Sequence, residues 1–139
     1  MDFEFILIGS DMNTYYMARS FHEEYHRKCY MIGTKLTVFT LHSNIFTFIQ
    51  EPGLNEKEGF VEALTKFAKH HQDKKLILVG TNDVYVRLII ENAEYLKKHY
   101  LFNYTNEDLM NDLMNKELFY TKYKDSTYKS KSIIKVRQI

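Results

Sequence analysis

The chain has 139 residues, one cysteine and a formal net charge of +1. This length suits one domain with its own core, and the lone Cys29 excludes an intramolecular disulfide and a thiolate zinc cluster. Asp2 and Glu4 interrupt the N-terminus where a secretory signal needs a basic start, and no run approaches the roughly 18 apolar residues of a membrane span. We therefore expect a soluble, cytoplasmic protein.

Strand and helix signals alternate along the chain. Short apolar runs that end in small or polar residues predict buried strands at Phe3–Ile8, Cys29–Ile32, Ile45–Ile49, Lys75–Gly80 and Leu101–Tyr104. Apolar residues spaced three and four apart predict helices at Asn13 to about His26, Glu56 to about His70, Val84–His99 and Glu107 to about Lys122. Such alternation is typical of parallel βαβ units. It predicts a three-layer, Rossmann-like α/β fold whose parallel sheet has about four to five strands and helices on both faces.

Two strands are followed by similar polar loops. Gly9-Ser10-Asp11-Met12-Asn13 follows the first strand, and Gly80-Thr81-Asn82-Asp83 follows the strand at residues 75–80. In a parallel sheet both loops lie at the carboxyl edge, where ligands bind. The free amides at the start of each following helix favour a carboxylate or phosphate. An ordinary turn with a helix N-cap explains the same residues, so both interpretations stay open.

Other motifs give weaker indications of function. The first loop contains one glycine and lacks the GxGxxG pattern, which argues against a dinucleotide site. His22-Glu23-Glu24-Tyr25-His26 matches HExxH, the pattern in which two histidines chelate zinc. Here His22 falls at the flank of an apolar stripe and His26 toward solvent, so we expect solvated histidines and no metal. That predicted core stripe consists of Met17, Ala18, Phe21 and Tyr25.

The C-terminus differs in composition from the rest of the chain. Residues 122–139 carry six basic side chains against Asp125, a net +5, which leaves −4 on the first 121 residues. A basic arm for nucleic acid or a membrane surface is one interpretation. The alternative is a solvated, disordered end, because scattered charges specify no partner. We expect the alternative, with neither nucleic acid nor membrane as a partner, and set the domain at residues 1–121 and a basic tail at 122–139.

Several short segments resemble one enzyme family. Gly9 to Asn13, Tyr15 and Met17 to Phe21 look like the opening of ATP-grasp carboxylate-amine ligases, closest to the D-aspartate ligase group. The similarity continues in family order through Ser43-Asn44-Ile45, Pro52-Gly53, Asp83, Tyr85, Leu88-Ile89, Asn115-Lys116 and Phe119-Tyr120. It implies a pre-ATP-grasp domain, the Rossmann-like N-terminal part of a peptidoglycan cross-bridge ligase. These ligases phosphorylate a carboxylate with ATP, and an amine then attacks the acyl phosphate.

The resemblance also implies roles for individual residues. The residues expected to line the pocket for a small acidic substrate are Gly9, Ser10, Asp11, Asn13, Arg19, Asp83 and Tyr85. For Arg19, a surface helix residue or a structural ion pair is an equal alternative. Lys116 is expected near the nucleotide, with an exposed helix lysine as its alternative. No catalytic residue is assigned, because the resemblance places ATP and Mg²⁺ in later domains.

After Tyr120 the resemblance ends and the altered tail begins. We expect this chain to be inactive alone, because it lacks the carboxylates that would hold magnesium beside the transferred phosphoryl group. An interrupted gene and a deliberately shortened chain both explain this. The alternative function is a stand-alone binding or regulatory module that acts through a protein partner. A homodimer, or a separate ATP-grasp domain as partner, is a further expectation.

Overall fold

The computed structural model describes residues 2–38 and 40–124. The chain divides into two compact units, residues 1–104 and 105–139. The first unit contains, in chain order, β1 (Phe3–Ile8), α1 (Met12–Tyr25), β2 (Cys29–Gly33), β3 (Phe46–Gln50), α2 (Lys57–His70), β4 (Lys75–Gly80), α3 (Asp83–Glu91), α4 (Ala93–Leu96) and β5 (Tyr100–Leu101). The described part of the second unit contains α5 (Glu107–Met114) and α6 (Lys116–Lys122).

All five strands form one parallel sheet in the order β3-β2-β1-β4-β5. The chain moves from β1 outward to β2 and β3, and then returns to the other side of β1 for β4 and β5. The strand order therefore reverses between β1 and β4, which is the switch point where such sheets bind ligands. Ile8 pairs with Gly80, so the loops after β1 and β4 leave the sheet at the same level. The predicted Rossmann-like α/β fold is confirmed.

Alternate side chains of the strands build a core on each face of the sheet. Ile6 and Ile8 of β1 pack with Phe60 and Leu64 of α2 and with residues of α3 and α4. Leu7, between them, points to the opposite face and packs in the cluster that contains Phe21 of α1. Each such buried side chain contributes roughly 1.5–3 kcal/mol. Helices consequently cover both faces, as the alternation of elements predicts.

Two predicted helices are each divided by an asparagine. The helix predicted at Val84–His99 breaks at Asn92, whose side-chain amide donates to the Leu88 carbonyl at 2.8 Å. The helix predicted from Glu107 to about Lys122 breaks at Asn115, which is extended and whose side-chain oxygen accepts from the first amides of α6. Asparagine side chains form such hydrogen bonds in place of those of the helix backbone. The spacing of apolar residues in the sequence does not indicate where this happens.

The predicted apolar stripe of α1 is only half buried. Ala18 and Phe21 are buried, whereas Met17 and Tyr25 are 41% and 53% exposed. Both exposed side chains line a groove with Ile77 of β4, so the exposed side of α1 faces the β4 half of the sheet. The other helices of the first unit, α2, α3 and α4, pack on the opposite face and do not cover this side of α1. The prediction that Met17 and Tyr25 belong to the core is therefore wrong.

The second unit is described only as far as residue 124. Within it, the Lys122 ammonium pairs with the Asp112 carboxylate and joins α6 to α5. Asn106 caps α5 by accepting from the amide of Leu109 at 2.9 Å. Residues 125–139, which make up most of the predicted basic tail, lie outside the described residues. The predicted boundary between residues 121 and 122 stays a prediction.

Candidate functional site

The loop after β1 is shaped by Gly9. Its φ of +135° lies where side chains are rarely tolerated. A Cβ atom there would lie 2.3 Å from the Thr81 hydroxyl and 2.7 Å from the Thr14 hydroxyl. The Gly9 amide donates to the Ile32 carbonyl at 2.9 Å, which ties the loop to the end of β2. Only glycine lets the chain turn here while the two threonines approach the backbone.

Asp11 is the N-cap of α1. Its Oδ1 accepts from the amide of Thr14 at 2.9 Å and from the Thr14 hydroxyl at 3.0 Å. Burial alone would raise the pKa of Asp11, but hydrogen bonds from Thr14 and from the Asn82 side chain outweigh it and hold the pKa below its ordinary value. The carboxylate is thus ionised and already offsets the positive end of α1. Asn13 is exposed in the first turn of α1.

The loop after β4 repeats this arrangement with a neutral cap. Asn82 accepts from the amide of Tyr85 at 3.1 Å and begins α3. Asp83 is exposed in the first turn of that helix. Tyr85 is buried, and its ring edge lies 3.5 Å from the position that a Cβ of Gly9 would occupy. Burial, with the negative charge of Asp11, raises the pKa of Tyr85.

The structure also brings in two threonines that were not among the predicted site residues. Thr14 is fully buried, and its Oγ1 lies 2.7 Å from Oγ1 of Thr81. The Thr81 hydroxyl also contacts the Ile8 carbonyl at 2.8 Å. The sequence contains a signal for both, because Thr14 directly follows the first predicted loop and Thr81 lies within the second. Their pairing depends on the strand order, which the sequence does not state.

The loop after β2 supports the first loop. The Thr37 hydroxyl donates to the Ser10 carbonyl at 2.7 Å, and the Thr37 amide donates to the Thr40 hydroxyl at 3.0 Å. Thr40 is buried although it lies in a loop. Ser10 itself is partly exposed. Three loops therefore meet at one edge of the sheet, with Ser10 between the loops after β1 and β2.

Arg19 and Lys116 make none of the contacts described above. The Arg19 guanidinium pairs with Glu23 one turn along α1, at 2.7 Å, and both side chains are more than half exposed. This is the ion pair that the sequence left open as an alternative. Lys116 is the exposed first residue of α6, in the second unit. Roles for either residue in binding substrate or nucleotide stay predictions.

The HExxH segment has no metal-binding geometry in the structure. His22 uses Nδ1 to contact the Arg27 carbonyl at 2.9 Å. His26 ends α1 in the left-handed conformation, with φ of 51°. Within residues 2–38 and 40–124, no three His, Cys, Asp or Glu side chains are grouped so that they could hold a metal ion.

Two apolar grooves lie away from the loops. One, of about 440 Å³, is lined mainly by α1 and includes Phe5, Tyr16, Met17 and Ile77. The other, of about 460 Å³, shares Ile77 and continues along β5 past Leu101. Both lie where α1 leaves the sheet uncovered. We place the candidate site at the loops rather than in these grooves, because the grooves contain few polar groups that could orient a ligand.

The fold and the paired loops define a Rossmann-like domain whose polar loops lie at the β1/β4 switch point. The chain is 34% identical over 118 residues to a D-aspartate ligase of Enterococcus faecium strain Aus0004. This match covers 83% of the chain and 28% of the relative, so the chain spans less than a third of that protein's length. The resemblance to the D-aspartate ligase group is therefore confirmed. No family model and no solved structure matches the chain.

One further finding concerns membranes. Among the described helices, none combines the length and the apolar character that crossing a bilayer requires.

Proposed function

We propose that this chain is the substrate-side, pre-ATP-grasp domain of a carboxylate-amine ligase, and that its β1 and β4 loops bind an acidic amino acid such as D-aspartate. The observation that carries the proposal is the register of Ile8 with Gly80, which sets the two polar loops side by side at the switch point. The similarity to a D-aspartate ligase over most of the chain supports it.

The charges at this edge suit an amino acid better than a simple anion. Asp11 is ionised and Asp83 is an exposed acidic residue, so the edge offers negative charge to a substrate ammonium group. The first amides of α1 and α3 have no acceptor within their helices, because helix geometry leaves the first four unpaired. Those amides that Asp11 and Asn82 leave free are available to a substrate carboxylate.

ATP and Mg²⁺ belong to the longer ligase in this proposal. The described residues contain no cluster of carboxylates and histidines that fits a divalent ion, so we assign no step of phosphoryl transfer to them. ATP-grasp domains, on the same chain or on a partner, would supply that chemistry in the cytoplasm during peptidoglycan cross-bridge synthesis. Without those domains, residues 1–139 are then inactive as a ligase.

The test is a titration of the purified chain with D-aspartate, with succinate, D-alanine and ATP as comparisons. Succinate keeps both carboxylates and lacks the ammonium, whereas D-alanine keeps the ammonium and lacks the second carboxylate. We expect D-aspartate to bind more tightly than either, and ATP to bind weakly or not at all. Equal binding of succinate and D-aspartate would contradict a role for Asp11 and Asp83 toward an ammonium group.

A stand-alone module that binds a protein partner is the second candidate function. The observation that favours it is the apolar groove beside α1 in the first unit, where Tyr16, Met17 and Tyr25 are 55%, 41% and 53% exposed. Contiguous apolar surface that remains exposed often marks an interaction site. Size-exclusion chromatography with light scattering tests the homodimer form of this idea. A monomer at high concentration, together with D-aspartate binding, favours the first proposal.

A further inference from the structure

A buried pair of hydroxyls connects the two loops of the candidate site. Thr14 lies in the first turn of α1 and Thr81 directly follows β4, so 67 residues separate them. Their Oγ1 atoms are 2.7 Å apart, and Thr14 has no exposed surface. Both hydroxyls lie within 2.7 Å of the position that a Cβ of Gly9 would occupy. The pair therefore forms the floor of the β1 loop.

The two hydroxyls take part in three hydrogen-bond contacts but carry only two protons between them. Three contacts are present: Thr14 to Asp11 Oδ1 at 3.0 Å, Thr81 to the Ile8 carbonyl at 2.8 Å, and the pair itself. Each hydroxyl carries one proton, and an ionised carboxylate and a carbonyl can only accept. A hydrogen bond to an ionised carboxylate is stronger than one to a hydroxyl, so Thr14 donates its proton to Asp11. The Thr81 proton is then shared between Thr14 and the Ile8 carbonyl.

With the Thr14 proton in its hydrogen bond to Asp11, the Thr81 hydroxyl is the donor within the pair. The Ile8 carbonyl already accepts from the Thr81 amide at 3.2 Å, so it stays satisfied when the Thr81 hydroxyl turns toward Thr14. The resulting chain runs from the Thr81 hydroxyl through the Thr14 hydroxyl to the Asp11 carboxylate. It begins after β4 and ends at the cap of α1. Asn82 adds a parallel link to the same carboxylate.

We propose that Thr14 and Thr81 are positioning residues for the acid-substrate site, and that their hydroxyls hold the β1 and β4 loops at the separation that a bound amino acid requires. The inference rests on the proposed function. Neither residue needs to touch the substrate. Their effect passes through Asp11, whose carboxylate the chain orients, and through Gly9, whose position the two hydroxyls define.

The experiment compares D-aspartate affinity in the wild-type chain with that in Thr81→Val, which replaces the hydroxyl by a methyl group of similar size. Affinity is measured by titrating D-aspartate against the amide signals of the ¹⁵N-labelled chain. We expect Thr81→Val to weaken binding about tenfold, the size of one lost hydrogen bond. Thr81→Ser keeps the hydroxyl and is expected to stay within about twofold of wild type.

A matched control removes a hydroxyl elsewhere. Thr65 in α2 contacts the Val61 carbonyl at 2.6 Å and the Tyr95 hydroxyl at 3.0 Å, so Thr65→Val also loses a paired hydroxyl. It is expected to leave D-aspartate affinity unchanged. If Thr81→Val does not fold, Thr81→Ala gives the same comparison without added bulk. Equal affinity of wild type and the hydroxyl-free variant overturns the inference, whereas a wild-type chain that does not bind D-aspartate overturns the proposed function.

Discussion

The Tyr85 hydroxyl donates a hydrogen bond to Oδ1 of Asn55 at 2.9 Å. Asn55 belongs to the loop after β3, while the ring of Tyr85 lies beside Gly9 in the loop after β1. One side chain at the start of α3 thus contacts two other loops at the carboxyl edge of the sheet. This contact shows that the residue predicted to face the first loop also reaches the loop after β3.

Removing the Tyr85 hydroxyl should cost little stability. Asn55 is exposed, so water replaces the lost bond in Tyr85→Phe, and we expect the free energy of unfolding to fall by about 0.5 kcal/mol or less. Tyr100→Phe is the comparison, because the Tyr100 hydroxyl donates to the Leu64 carbonyl at 2.7 Å in a buried position. There we expect a loss of about 1–1.5 kcal/mol. Urea unfolding of both variants measures the difference, and a larger loss for Tyr85→Phe would be inconsistent with this ranking.

A methyl group at Gly9 should be strongly destabilising. Gly9→Ala adds a Cβ 2.3 Å from the Thr81 hydroxyl, at a φ that alanine rarely adopts, so we expect a loss of about 3 kcal/mol or more. Gly53→Ala is the control, because its nearest neighbour would lie at 3.7 Å, an ordinary contact. Thermal unfolding should show a much lower melting temperature for Gly9→Ala than for Gly53→Ala. Similar melting temperatures would mean that the β1 loop is not packed as described.

Stability should depend on pH through Asp11. The pKa of Asp11 is lower in the folded state than in the unfolded state. The stabilisation that its ionised carboxylate gives to folding is therefore fully present above the unfolded pKa of about 3.9 and is lost as the pH falls through the folded pKa. The difference in unfolding free energy between wild type and Asp11→Asn should therefore be largest near pH 7 and shrink towards about pH 3. Urea unfolding at each pH measures it.

Asp2→Asn separates this effect from a surface charge effect. A hydrogen bond from the Lys74 ammonium, in an exposed ion pair, lowers the pKa of Asp2. Salt screens such pairs, because the Debye length is about 3 Å at 1 M ionic strength. The Asp2→Asn difference should disappear at that ionic strength while the Asp11→Asn difference persists. An Asp11→Asn difference that salt abolishes would contradict a hydrogen-bonded cap.

The only cysteine should report on unfolding. Cys29 is 1% exposed in β2, and burial raises the pKa of its thiol to about 12. Only the thiolate reacts with alkylating agents, so we expect the native chain at neutral pH to resist iodoacetamide and the urea-unfolded chain to react fully. Mass spectrometry measures the labelled fraction. Rapid labelling of the native chain would show that β2 opens easily.

Much of the fold is predictable because local patterns decide it. Residues 76–79 are a continuous apolar run followed by a glycine, and the structure has the strand at the predicted residues, Lys75–Gly80. The predicted helix through Asn92 fails because an asparagine side chain competes for the Leu88 carbonyl, which spacing alone does not show. Exposure of Met17 depends on whether a helix covers the β4 side of that face of the sheet, a property of the whole fold rather than of α1.

The candidate site is predictable only in part, for a related reason. Gly9 and Asp11 are predicted because they follow the end of a predicted strand, and Tyr85 is predicted by the family resemblance. The structure brings all three together. The contact of Thr14 with Thr81 joins positions far apart in sequence, so it follows only once β1 and β4 are known to be neighbours.

The central claim is that the β1 and β4 loops together bind an acidic amino acid. The most direct measurement is a map of amide chemical-shift changes in the ¹⁵N-labelled chain as D-aspartate is added. The account predicts that saturable changes concentrate at residues 9–14 and 80–85. Changes that concentrate along the groove of Phe5, Met17 and Ile77, or no saturable change at any concentration, would contradict it.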